Sequence, residues 1–297
     1  MQATAQLEAV TDPLLGRRIS FWGDAFRRFR RNWLAVIGLV VVLTVILLAV
    51  GANLIAPQGY DTFNGANAYQ FPSWSHIFGT DDLGKDEFAI ILFGARTALT
   101  VGFVTALTSI VIGVPMGAVA GLRGGSFDFA VMRVVDITAA YPQVLFALFI
   151  VAASGSSLWN IILAIGLLNW ITLCRLTRAQ VLALRDQEFV EAARAMGVST
   201  PAIVLRHLLP NVVGPLLVTV AVGIPTAIFT EASLGFLGLG IDPTTPDWGN
   251  MIANARENIS YYWYLALFPA LALAVTMVAF NFVGDGLRDA LDPRERR

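Results

Sequence analysis

Several stretches of this chain are too long and too apolar to fold anywhere but across a lipid bilayer. A hydrocarbon core of roughly 30 Å takes about 20 apolar residues in a helix. Because no water is present there to satisfy backbone N–H and C=O groups, the helix is the element such runs allow. Trp33 to Ile55, Thr97 to Leu122, Asn211 to Thr230 and Tyr261 to Val283 reach that length with no internal charge. Ile137 to Cys174 is also uncharged, is too long for one helix, and is divided by Ser154-Gly-Ser-Ser157, a turn signal. With 56% hydrophobic and 14% charged residues and a mean hydropathy of +0.67, the composition is far from that of a soluble domain. The expectation is an all-α polytopic membrane protein with six transmembrane helices. The first span follows 32 residues of chain and exceeds the apolar region of a signal peptide, so it reads as an uncleaved anchor.

Orientation follows from the cations, because Lys and Arg accumulate on the cytoplasmic side. With the N-terminus inside, seventeen of the 20 Lys and Arg residues are cytoplasmic, and only Lys85, Arg96 and Arg256 are outside. Both termini and the polar segment between the fourth and fifth spans are therefore expected in the cytoplasm. Ahead of the first span, Trp22, Phe26, Phe29 and Trp33 recur at helical spacing with Arg27, Arg28, Arg30 and Arg31 on the other faces. That pattern suits an interfacial elbow helix with guanidinium groups on lipid phosphates.

Several chemistries are excluded. A net charge of −1 and arginines distributed by topology leave no basic patch for nucleic acid. The single Cys174 admits no internal disulfide. His76 and His207 fall on opposite sides of the membrane, and no His, Cys and carboxylate cluster has metal-ligand spacing, so no metal site is expected. No Ser, His and Asp set shares one side, and the chain is not expected to be a catalyst. Gly79-Thr-Asp-Asp-Leu-Gly84-Lys85-Asp86 matches the phosphate-loop pattern G-x-x-x-x-G-K-[ST] except at its last position. Asp86 replaces the hydroxyl that would hold Mg²⁺, and Asp81 and Asp82 would repel phosphate. Any ATP or Mg²⁺ used by the system is bound elsewhere.

The polar segment from Asp186 to Asn211 reads as two short helices. Phe189, Ala192, Ala193 and Met196 form one apolar stripe at helical spacing, and Gly197 ends the helix. Thr200 is placed to cap a second helix with Pro201 at its first position; this helix runs through Ile203, Val204, Leu205 and Leu208 until Pro210 stops it. The result is a rigid knob with no pore to line, which suits it for being gripped by another protein. Glu191 either contacts that partner or pairs with Arg194.

Glu191-Ala-Ala193, Gly197 and the Leu209-Pro210 close resemble the EAA loop of permease subunits of binding-protein-dependent ABC importers. The resemblance extends to His76 through Asp86, Phe93-Gly-Ala-Arg96-Thr, Glu231 through Gly240, Pro246-Asp-Trp-Gly249 and Gly284 through Pro293, which are similar to the C-type subunits of the dipeptide/oligopeptide permease family. Lys85 departs from the more usual Arg but keeps the charge. The resemblance implies a type I ABC importer transmembrane domain over residues 97–286, with a cytoplasmic tail at 1–32, a first span at 33–55, an extracytoplasmic loop at 56–96, a coupling loop at 186–210 and a C-terminal tail at 287–297. It implies a prokaryotic inner-membrane location, a second homologous permease subunit, two ATPase subunits that bind ATP and Mg²⁺, and an extracytoplasmic substrate-binding protein. It further implies that Glu188, Glu191, Ala192, Ala193, Met196, Gly197, Pro201 and Pro210 couple to an ATPase. The cargo it implies is a di- or oligopeptide, with nickel chelates, glutathione, opines and sugars known among relatives.

Polar residues within spans are costly and mark functional candidates. Asn169, Thr172, Glu231 and Asn281 are the translocation-path candidates, and Glu231 is equally read as a hydrogen-bonded acid at the outer end of the fifth span. Arg133 and Asp136, one turn apart, are expected to pair locally. Pro225 and Pro269 either kink their helices or pack within them. The alternative of a proton-coupled secondary transporter would require membrane-embedded acids and repeated halves, and the sequence offers one boundary acid and no clear repeat.

Overall fold

The computed structural model describes residues 21–291 except 243; the expectations for the tails at 1–20 and 292–297 lie outside the described residues. Among the described residues there is no β-strand, and the elements are helices joined by turns. α1 (Phe21–Arg31) is amphipathic, with Phe29 buried while Trp22 and Phe26 remain exposed. Asn32 then caps α2 (Trp33–Val50), its side chain accepting from Ala35 N at 3.2 Å. A short turn, α3 (Ala52–Ile55), leads into an irregular segment that ends at α4 (Glu87–Arg123). Asp86 caps α4 through Ala89 N at 3.1 Å. The helix therefore starts ten residues before the expected loop boundary, because Asp86 supplies a cap where charge alone suggested more loop.

The third span is not straight. α5 (Gly125–Ala139) and α6 (Gln143–Ser154) meet at an 83° bend. The break falls at Tyr141-Pro142, since the ring of Pro142 disfavours helical geometry at the residue before it. α7 (Leu158–Leu184), capped by Ser157 through Asn160 N at 3.2 Å, is the principal partner of α4. Gly113, Gly117 and Gly121 form the contact face. An added Cβ would lie 2.7 Å from Trp170 O at Gly113 and 2.8 Å from Arg178 O at Gly121. Such close approach of two backbones is the packing that small residues permit in membranes. Cys174 is buried beside this seam and free.

Beyond α7 come α8 (Glu188–Ala195), α9 (Thr200–Ile203), a π-helical turn at Val204–Leu208 and α10 (Leu209–Phe236). Pro210 does not stop a helix; it sits in the first turn of α10, and the chain runs helically from Thr200 to Phe236. An ordinary turn would place the proline ring against the carbonyl four residues back. The wider π turn relieves that clash, and Asn211 Nδ2 donates to His207 O at 2.6 Å. α11 (Trp248–Ala255) folds back into the bundle: Trp248 lies against Gly94 and its Nε1 donates to Ile91 O at 3.1 Å. α12 (Tyr264–Leu291) closes the bundle against α2 and α10, burying Phe280 with Val42, Ile224 and Ile228.

Two ion pairs tie α5 to α7. Arg178 holds Asp128 bidentately, Nε and Nη2 on one guanidinium edge donating to its two carboxylate oxygens, and Arg175 Nη2 lies 2.8 Å from Asp136 Oδ1. The expected Arg133–Asp136 pair does not form; Arg133 instead lies over the Phe129 ring at 5.3 Å.

Candidate functional site: a knob, a folded-back hairpin and a family

The knob is built from its inner face outward. Val190, Ala193, Ile203, Val204 and Leu208 pack on Ala118 of α4 and Val181 of α7 in one buried cluster, with Leu122 and Leu184 at its edge. Arg185 Nη1 adds a bond to Gly121 O at 3.3 Å. The joint is a Schellman close: Gly197 N donates to Arg194 O at 2.9 Å and Val198 N donates to Ala193 O at 3.1 Å. Gly197 has φ +75, the left-handed conformation that glycine adopts without strain. Ser199, in extended geometry, rather than Thr200 occupies the N-cap position of the second helix, without a side-chain cap bond, and Pro201 stands one place deeper than expected.

This packing divides the sequence-predicted residues. Ala193 is fully buried in the attachment, so it anchors the knob and does not face a partner. Glu188, Glu191, Ala192, Met196, Gly197, Pro201 and Pro210 are exposed. Met196 is 75% exposed and Phe189 41%, and the sequence reading had placed both on one stripe with Ala193. It missed Leu205, which is 65% exposed because the π turn rotates it away from the core side taken by Val204 and Leu208. Phe189, Met196 and Leu205 thus leave large apolar side chains uncovered in an otherwise polar element. Among the described residues Glu191 and Arg194 form no ion pair.

At the other end of the bundle, the segment resembling a phosphate loop is filled by its own side chain. Asp81 Oδ1 accepts from Lys85 N at 2.7 Å and Leu83 N at 2.9 Å, using amides that a phosphate would need. Burial raises the Asp81 carboxyl above its usual 3.8 against the pull of these amides. Asp86, besides capping α4, lies 2.8 Å from His76 Nδ1. Glu231, near the end of α10, faces Asp247 at the start of α11. Asp247 Oδ1 accepts from Gly249 N at 2.7 Å, and its Oδ2 packs toward Gly235 and Gly240. Glu231 and Asp247 are each 2% exposed. Among the described residues, Glu231 Oε1 and Asp247 Oδ2 have no hydrogen-bond partner. The hydrogen bond expected for Glu231 at the outer end of the fifth span is not seen at its Oε1, and Asp247 was not foreseen beside it.

A family model described as the binding-protein-dependent transport system inner membrane component matches residues 113–297. The chain belongs to this family. A second model, the N-terminal TM domain of oligopeptide transport permease C, matches residues 20–72. The chain is 41% identical to the oligopeptide transport system permease protein OppC of Bacillus subtilis (strain 168), over 95% of this chain and 92% of that one. It is 41% identical to the dipeptide transport system permease protein DppC of Alkalihalophilus pseudofirmus, over 93% and 91%. It is 40% identical to the glutathione transport system permease protein GsiD of Escherichia coli O157:H7, over 92% and 90%. Among solved structures, an inward-facing MetNI methionine ABC transporter chain superposes with a TM-score of 0.57 at 19% identity, covering 68% of this chain and 96% of that one. The permease is thus a multi-pass inner-membrane transport subunit with a type I importer fold, which sets aside the proton-coupled alternative.

Of the translocation-path candidates, Asn169 Oδ1 accepts from Gln143 Nε2 at 3.1 Å, bracing α7 against the bent α6. Thr172, on α7, and Asn281, on α12, are exposed. Both helices pack against α10, and Glu231 is buried near the end of α10. Pro225 and Pro269 are both buried inside their helices.

Proposed function

We propose that this permease forms half of the translocation path of an ATP-driven importer of di- or oligopeptides, and that residues 186–210 seat in a groove of an ATPase subunit. The observation that carries this reading is the divided knob: an inner face locked to α4 and α7, with Phe189, Glu191, Met196 and Leu205 left exposed outside it. The peptide cargo is supported by the oligopeptide and dipeptide relatives. A second permease subunit completes the path, two ATPases bind ATP and Mg²⁺, and a binding protein delivers cargo from outside. The distribution of Lys and Arg supports a cytoplasmic knob and cytoplasmic termini.

Nucleotide binding closes the ATPase pair, the grooves move, and each knob carries its flanking spans from inward-open to outward-open. The knob must sit better in the closed ATPase pair when the spans face outward; without differential affinity no population shifts. Moving the permease from mostly one state to mostly the other requires about 5.5 kcal/mol of such difference. A Schellman-closed joint and a buried inner face transmit it, whereas a loose loop would absorb the motion.

The test is Met196→Asp, which places a charge in the exposed apolar face. The variant should insert and fold normally but retain about tenfold less ATPase subunit on co-purification, with peptide uptake falling in parallel. Unchanged co-purification and uptake would refute the assignment. Cargo has a second reading with an observation of its own: the glutathione permease relative is 40% identical, nearly matching the oligopeptide one. Mass spectrometry of the ligand carried by the purified binding protein separates the two.

A further inference from the structure

At the end of the bundle opposite the knob, the loop between α3 and α4 and the segment between α10 and α12 enclose a cavity of about 910 Å³, a volume that holds a small organic ligand. Asp81, Asp82, Glu87, Asp247 and Glu257 all line it. Glu87 is 4% exposed, and its Oε2 has no hydrogen-bond partner among the described residues. A buried carboxyl oxygen left in that state is costly until a donor completes it.

The two cations in the wall do not neutralise these acids. Lys85 Nζ is held over the Phe63 ring at 4.5 Å, Arg256 is exposed, and neither joins an ion pair among the described residues. Tyr60 and Tyr69 add aromatic faces to the wall, which attract organic cations. Burial, followed by the charge of Asp82, holds the Tyr69 phenol above its usual 10.0.

The walls are tied together before any ligand arrives. Tyr69 stacks on Tyr262 at 4.2 Å, Asn258 Nδ2 donates to the Tyr69 hydroxyl at 3.3 Å, and the Tyr264 hydroxyl donates to Thr80 O at 3.0 Å. Preorganisation of this kind lowers the ordering cost of binding. The cavity therefore fits a molecule a few residues long with a cationic end, and Arg256 offers a partner for a carboxylate at its other end.

We propose that this cavity is a holding site on the permease for the protonated amino end of the imported peptide, distinct from the site on the binding protein. The proposal rests on the peptide reading given above. Asp82 and Glu257, both exposed, supply the accessible charge, and Glu87 behind them supplies an acceptor.

The experiment measures equilibrium binding of radiolabelled trialanine and N-acetyltrialanine to the assembled transporter in lipid nanodiscs, without binding protein. Trialanine should bind saturably, and the acetylated form about tenfold or more weakly, since a charge-assisted hydrogen bond is lost. Asp82→Asn combined with Glu257→Gln should weaken trialanine by about tenfold and leave the acetylated peptide unchanged, while Asp61→Asn, an exposed acid outside the cavity, should change neither. Equal binding of the two peptides by the unmodified transporter overturns the proposal without recourse to any variant, as does an equal loss in the Asp61 variant. If vesicles supplied with binding protein import trialanine while the transporter alone binds none, the proposal falls and the peptide reading stands. If they import no peptide of either kind, the peptide reading itself falls.

Discussion

Glu231 and Asp247 form the most consequential pair of single residues outside the knob. Burial holds the Asp247 carboxyl above its usual 3.8, and the Gly249 amide pulls only partly the other way. Because the fold prefers the protonated form, the native state binds more protons than the unfolded chain through this window, and stability falls as pH climbs. Protection factors at residues 240–250, measured exchange rates referred to the unstructured rate at each pH, should therefore be highest near pH 4, fall as Asp247 ionises and then level off, and Asp247→Asn should flatten the profile. Protection that does not change with pH in the unmodified protein would refute the preference of the fold for protonated Asp247. The acid at 231 was legible in the sequence because a carboxyl at the edge of an apolar run demands a partner. Its partner was not, because Asp247 reaches it through a chain reversal that no periodicity encodes. The Arg133–Asp136 error has the same origin: helical spacing nominates neighbours on one helix and is silent about Arg175 on the next.

At the scale of elements, the knob separates attachment from contact, and substitutions should separate likewise. Leu208 is fully buried between the knob and α4, so Leu208→Ala should cost about 2–5 kcal/mol locally. Exchange should rise across residues 186–208 while the centres of α4 and α7 remain protected. ATPase should still co-purify but no longer drive uptake, the reverse of the loss expected for Met196→Asp. Gly197→Val, forced into the left-handed region, should add about 1–2 kcal/mol of strain and weaken coupling through the same joint. The two-helix form of the knob was readable from the stripe and the glycine. Which residues faced out was not, because a stripe at 3.6 periodicity assumes one continuous regular helix. Ala193 turned inward at the Schellman close, and Leu205 was rotated outward by a π turn that Pro210 imposes without announcing.

For the whole molecule, the apolar runs located five helices long enough to cross a bilayer, with the bent pair α5 and α6 in the place expected of the remaining span, since length and hydropathy decide what a bilayer accepts. The bend in the third span escaped because Tyr141-Pro142 lies within an otherwise uninterrupted apolar run. Sidedness can be checked directly. Cys174 is buried and gives little background, so single cysteines at Ser73 and Ser199, both exposed at opposite ends, should report alone. An impermeant maleimide should label position 73 in intact cells and position 199 only after permeabilisation; the opposite pattern would invert the topology. The π turn at Val204–Leu208 also has a genetic consequence. It carries one residue more than a regular helix needs, so loss of a single codon there should close the turn to ordinary α-helix and leave the phase of α10 nearly unchanged, whereas the same loss a few residues on, in the regular first turns of α10, would rotate the rest of that helix by about 100°. Ile224 and Ile228, which fill the space beside Gly102 of α4, would then point elsewhere, and a lesion near the membrane surface would be felt as misassembly deep within it.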